Sequence, residues 1–186
     1  MNRAAVLMLA AVLAFPAIAR SATKEEKRQD VRDVAENTLA RLYKSQPHAK
    51  DAVERSAGYA VFSNFGMKIL LAGGGTGSGI AVNRKAKTET FMKMVEVQAG
   101  LGIGVKKFRL VWIFEKQSDF NRFVNTGWEI GGQATAAAKM SGKGQELYAG
   151  AMSISPGVWL YQLTDEGLAV ELTAKGTKYY KDPELN

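Results

Sequence analysis

Cysteine is absent from this chain, and histidine occurs once, at position 48. Without cysteine there is no disulfide, no thiolate nucleophile and no anchor for lipoprotein-type acylation. With one histidine, a His-rich zinc site or a Cys–His nucleophile pair cannot be assembled. His48 follows Pro47 in a predicted loop and reads as a surface residue. Phosphate-binding signatures are missing as well. A dinucleotide fingerprint needs glycine at i, i+2 and i+5, but counted from Gly73, Gly75 or Gly77 the third place is Ser78, Ile80 or Val82. A P-loop ends in Gly-Lys-Ser/Thr, whereas Gly79 is followed by Ile80 and Ala81. Ser78 does not sit in a Gly-x-Ser-x-Gly elbow, and the sequence does not make an acid pair of Glu89 and Glu96. No catalytic residue, cofactor or metal site emerges, so the chain reads as non-enzymatic.

What is present begins with a leader. Asn2 and Arg3 precede an apolar run, Ala4 to Phe15, followed by Pro16 and the small-x-small pattern Ala17-Ile18-Ala19. That is the layout of a secretory signal with cleavage after Ala19, an uncleaved anchor being the alternative. The run is shorter than the ~20 residues that span a bilayer. Residues 20–186 then form a single domain, and with 46% hydrophobic residues in the chain there is enough for a core. Removing residues 1–19 takes Arg3 from 25 bases, leaving 24 against 18 acids, a net charge of +6. A basic exported protein, periplasmic or associated with the cell envelope, is expected to meet anionic lipid head groups or envelope polymers rather than nucleic acid.

Thr23-Lys24-Glu25-Glu26 has the form of a capping box. Behind it Val31, Val34, Ala35, Thr38 and Leu42 share one helical face, predicting a helix over 23–45 that covers a core or lies on a membrane. A short helix is expected at 51–57. From Tyr59 to Phe114 the texture is β-prone and broken by glycine, and Phe108, Leu110, Trp112 and Phe114 alternate as in a largely buried strand. Ser118 as cap and Gly127 as stop predict another short helix burying Phe120, Phe123 and Val124. The run 133–139 is ambiguous between helix and strand. Val158–Leu163 and Leu168–Leu172 flank Thr164-Asp165-Glu166-Gly167 as a hairpin.

Glycine recurs by twos: Gly73, Gly75, Gly77 and Gly79, then Gly100, Gly102 and Gly104. In a strand such positions share a face, and each interior glycine costs roughly 0.5–1 kcal/mol relative to alanine. Two compensations are open. Glycine lets a sheet curve steeply and pack closely on itself, or it lets another surface approach the backbone. Between Asn83 and Arg109 lie seven bases, Arg84, Lys85, Lys87, Lys93, Lys106, Lys107 and Arg109, against Glu89 and Glu96, a net +5. Arg84 to Lys87 looks like a turn, and if the two glycine strands run the same way the basic clusters could share one edge. Solvated edge lysines that discourage aggregation are the plainer reading.

Ser56 to Phe62, the glycine run ending Gly77-Ser78-Gly79-Ile80, Val97 to Val105 and Gly176-Thr177-Lys178-Tyr179-Tyr180 occur in this order. Together they resemble the SYLF domain over about residues 35–186, a family of lipid-binding domains that includes yeast actin-patch proteins and many exported bacterial proteins. The resemblance implies a β-rich α+β domain that binds phospholipid, with phosphoinositides favoured in eukaryotic members, and it offers no catalytic residue to carry across. An amphipathic N-terminal segment and basic residues are implicated in that binding. Here these correspond to helix 23–45 and to bases near Lys68, Arg84 to Lys87 and Lys106 to Arg109. The combined expectation is a strongly curved, barrel-like, mainly antiparallel sheet packed with an N-terminal helix and one or two short helices. The expected function is peripheral binding of anionic phospholipid through Lys68, Arg84, Lys85, Lys87, Lys93, Lys106, Lys107 and Arg109, beside the close-approach glycines. The alternative is an envelope structural protein that docks on another protein or a polymer.

Overall fold

The computed structural model describes residues 22–69, 72–99, 104–130, 146–165, 167–168 and 176–186. The predicted leader, the run 133–139 and residues 169–172 of the predicted hairpin lie outside them. The chain opens with α1 (Lys24–Ser45) and α2 (His48–Arg55). Four long strands follow: β1 (Gly58–Ile69), β2 (Ala72–Asn83), β3 (Thr88–Ala99) and β4 (Gly104–Phe114). Then come α3 (Gln117–Thr126), β5 (Trp128–Ile130), a 3-10 turn (Glu146–Tyr148), β6 (Met152–Ser155), β7 (Val158–Thr164), β8 (Gly167–Leu168) and β9 (Thr177–Lys181). Neighbouring strands are antiparallel, in the order β5-β9-β3-β2-β1-β4-β7-β6 with β8 beside β7. The sheet curls into a half-barrel, the curved α+β architecture that the sequence predicts.

Local chemistry sets the element ends. The Thr23 hydroxyl accepts from the Glu26 amide at 3.2 Å, and the Glu26 carboxylate accepts from the Thr23 amide at 2.6 Å. The capping box is therefore closed, and hydrogen bonds from the Thr23 amide first and its hydroxyl second hold the Glu26 carboxyl below its ordinary pKa. α2 starts three residues before the predicted helix, because Pro47 already has helical backbone angles, and exposed His48 stands in its first turn rather than in a loop. Ser118 is not the cap of α3. The Phe120 amide bonds to the Lys116 carbonyl, so the helix closes its first turn with Lys116 at the cap position. Gly127 does end it, at a φ of 78° that only glycine adopts freely. At the predicted hairpin, Thr164 pairs with Gly167 and Leu163 with Leu168.

Both faces of the sheet are covered, which explains why β4 is apolar on both sides. On one face Phe62, Met92, Met94, Leu110, Trp112, Phe114 and Tyr179 pack against Phe120, Phe123 and Val124 of α3. The Trp112 and Tyr179 rings meet edge to face there, with centroids 5.2 Å apart. On the other face Val61, Ile80, Phe91, Val111 and Ile113 pack under Leu42 of α1 and Ala49 and Val53 of α2. α1 thus covers a core as well as presenting a polar face. Its predicted stripe is incomplete, however, because Val34 remains 38% exposed.

Candidate functional site

The first glycine run lies inside β2, as its alternation predicts. Gly73 pairs with Lys68 and Gln98, Gly75 with Gly66 and Glu96, Gly77 with Asn64 and Met94, and Gly79 with Phe62 and Met92. Two of these positions serve the protein's own packing. A Cβ on Gly77 would come within 2.5 Å of the Ser63 carbonyl and 2.7 Å of Met94 Cγ, and one on Gly79 would press on the Phe62 ring. The second run is a different case. Gly100 and Gly102 lie outside the described residues, and Gly104 is the first residue of β4, paired with Lys68. β3 and β4 on either side of it are separated in the sheet by β2 and β1, so 98–105 is not one strand. Short-range alternation cannot distinguish one strand from the end of one and the start of another.

The bases fall at separate heights on the ladder. β2 and β4 do run the same way, since both are antiparallel to β1. Yet Asn83, just before the basic turn, is level with Gly58, while Lys106 is level with Gly66 and Lys107 with Phe65. Along β1, eight residues separate Asn83 from Lys106 and seven separate it from Lys107, about 23–26 Å at ~3.3 Å per residue. The two clusters do not share an edge. Lys68 lies two residues beyond Gly66, at the end far from the turn.

Charge pairing divides the bases further. The Lys93 ammonium sits 3.2 Å from Asp182 Oδ1 and 3.3 Å from Glu184 Oε2. Desolvation pulls its pKa down, but the hydrogen bonds to Asp182 and Glu184 and the charges of those acids together outweigh it and leave it above the ordinary lysine value. Arg109 stands 3.7 Å from Asp165 Oδ1. By contrast Arg84, Lys85 and Lys87 are exposed and enter no ion pair among the described residues. They occupy the β2–β3 turn, which is braced by the Ala86 amide donating to Asn83 Oδ1 at 3.0 Å and the Arg84 amide donating to the Ala57 carbonyl at 3.2 Å. Lys87 takes a φ of 53° to close it.

A shallow notch of about 470 Å³ opens beside this turn, lined by Tyr59, Val82, Asn83, Arg84, Lys87 and Glu89. Burial raises the Tyr59 phenol above its ordinary pKa, and the Arg84 charge works against that shift. Nearby Tyr43 is pushed up to about 12, chiefly by burial. Both phenols stay protonated at neutral pH and can donate or accept. Tyr59 and Asn83 carry no signal in the sequence that marks them as site residues, although Asn before a basic tetrapeptide is a turn former. The acids that neutralise Lys93 also escape sequence reading, because they arrive from 89 and 91 residues downstream.

No group of three or more His, Cys, Asp or Glu able to hold a metal occurs among the described residues. No described helix is long and apolar enough to cross a membrane. No protein-family profile matches the chain. Over 164 residues, 88% of its length, it is 35% identical to beta cell expansion factor A of Aeromonas veronii, and it spans 60% of that relative's length.

Proposed function

We propose that the protein is a non-enzymatic, peripheral binder of anionic phospholipid at the cell envelope, that it belongs with the SYLF domains, and that the β2–β3 turn is its membrane-facing point. One observation carries this reading: Arg84, Lys85 and Lys87 stand exposed together on one braced turn with no acid engaged among the described residues, whereas Lys93 and Arg109 are engaged by acids. Near an anionic bilayer each free base contributes about 1 kcal/mol. The notch adds a phenol and an amide that can hydrogen-bond a head-group oxygen. Export rests on the leader read in residues 1–19. The relative's name speaks of an effect on beta cells and not of a ligand, so the lipid reading stands on these residues and on the SYLF likeness.

Sedimentation with vesicles tests it. The protein should pellet with vesicles containing phosphatidylglycerol, be released by salt, and ignore pure phosphatidylcholine. Equal, salt-independent pelleting with both would remove the electrostatic mechanism. A second reading, docking on another envelope protein or polymer, draws on Gly77 and Gly79, whose bareness serves interior packing. Capture of one saturable protein partner with no vesicle binding would favour it.

A further inference from the structure

The face of the sheet that packs on α3 also carries polar groups among its aromatic rings. Trp112 Nε1 on β4 and Tyr179 Oη and Thr177 Oγ1 on β9 are buried, and none has a hydrogen-bond partner among the described residues. All three residues are 0% exposed. Glu96 of β3 is 1% exposed and stands opposite Thr177 on the ladder, while Tyr179, two residues along β9, shares that face. The phenol and the indole are neighbours, edge to face with 5.2 Å between ring centroids. Burial raises the Tyr179 phenol well above its ordinary pKa; the adjacent Trp112 N–H works against that shift and the Glu96 charge adds to it. A buried polar group left without a partner is costly. Three of them on the face of one buried carboxylate point to a partner held between them.

β2 leaves space at this level. Gly77 and Gly79 are filled over by Met94 and Phe62. Gly75, the next residue on the same side, is buried beside Glu96 and pairs on its other flank with Gly66. Two successive positions on the rung of Glu96 and Thr177 therefore carry no side chain. The polar atoms then select the occupant. Trp112 Nε1 can only donate, so the occupant must accept, which an ammonium or a metal cation cannot do. A buried carboxylate repels an anion strongly where water does not screen it, so an anion is excluded as well. Phe62 and Trp112 close around Tyr179 with centroids 4.9 and 5.2 Å from its ring, which leaves no room for a carbon skeleton. A neutral molecule of one heavy atom that both donates and accepts fits. Internal water makes about three hydrogen bonds, and three atoms here lack one.

We infer that the half-barrel holds an internal water site, in which water bridges Trp112 Nε1, Tyr179 Oη and Thr177 Oγ1 to the Glu96 carboxylate and so ties β4 and β9 to β3. The site is separate from the basic turn, since Gly75 lies eight residues along β2 from Asn83, about 26 Å at ~3.3 Å per residue. Nitrogen-15-edited NMR of the purified protein tests it. The Trp112 indole N–H should show a cross-peak at the water frequency, with the sign of long-lived bound water. Thr177→Val and Tyr179→Phe each delete one hydroxyl at nearly constant bulk. Each should lower the urea midpoint and weaken that cross-peak severalfold, because the water loses a hydrogen bond. Were the hydroxyls merely unpaired, their removal would relieve a buried polar group and raise the midpoint. A Trp112 indole with no water cross-peak, or midpoints unchanged or raised in both variants, overturns the site. If neither variant folds, the wild-type cross-peak alone decides.

Discussion

A methyl group at position 79 has nowhere to go. It would press on the Phe62 ring and on the Val61 carbonyl, and that carbonyl belongs to a ladder flanked on both sides. Gly79→Ala should therefore destabilise the protein by about 1–3 kcal/mol, the range for overpacking a filled interior. Denaturant midpoints at unchanged slope would show it, and a neutral result would mean that the ring moves aside. Exposed Ser78→Ala next to it should stay within about 0.5 kcal/mol. The sequence shows that these positions share a face but leaves open whether a ligand or the protein's own interior fills it. Phe62 answers for Gly79, and Met94 for Gly77.

Among the elements, legibility follows the range of the interaction that defines each one. α1 begins where Thr23 and Glu26 say it does, because a capping box is complete within four residues. The caps of α2 and α3 depend on backbone angles at Pro47 and Lys116, so α2 starts ahead of the expected residue 51 and the side-chain signal at Ser118 misleads. The tail after β9 is the least legible piece. Asp182 donates its amide to the Phe91 carbonyl, Asn186 bonds to both backbone groups of Phe91, and Lys93 reaches over to Asp182 and Glu184. Lys93→Met would leave the buried Asp182 carboxylate short of its cation, at a cost of about 1–2 kcal/mol once partial exposure of the ammonium is allowed for. Because the folded pKa of Lys93 is raised, the wild-type advantage should be full below the ordinary lysine pKa and vanish as pH rises through the raised value. Denaturation of both proteins across that range checks the sign. An advantage that grows with pH would exclude the ion pair as its source.

At the scale of the whole molecule, the curved antiparallel α+β architecture is legible from glycine, β-prone segments and helix signals, but the order of strands is not. Neighbourhood in the sheet is fixed by packing between segments far apart in sequence, as where β4 skips past β3 and β2 to lie beside β1. That one fact sends Lys106 and Lys107 away from Arg84, Lys85 and Lys87, which stand at the turn as a compact cationic point with no ion pair among the described residues. Its test is a side-by-side vesicle titration with phosphatidylglycerol of the wild type, the turn reversal Arg84→Glu, Lys85→Glu, Lys87→Glu, and a charge-matched reversal at Arg122, Lys178 and Lys181 on α3 and β9. Losing three attractive bases at the turn should weaken binding by ~3 kcal/mol, roughly a hundredfold, with the matched control shifting severalfold at most. Equal losses in the two variants would contradict the turn as the contact point and reduce the attraction to net charge alone.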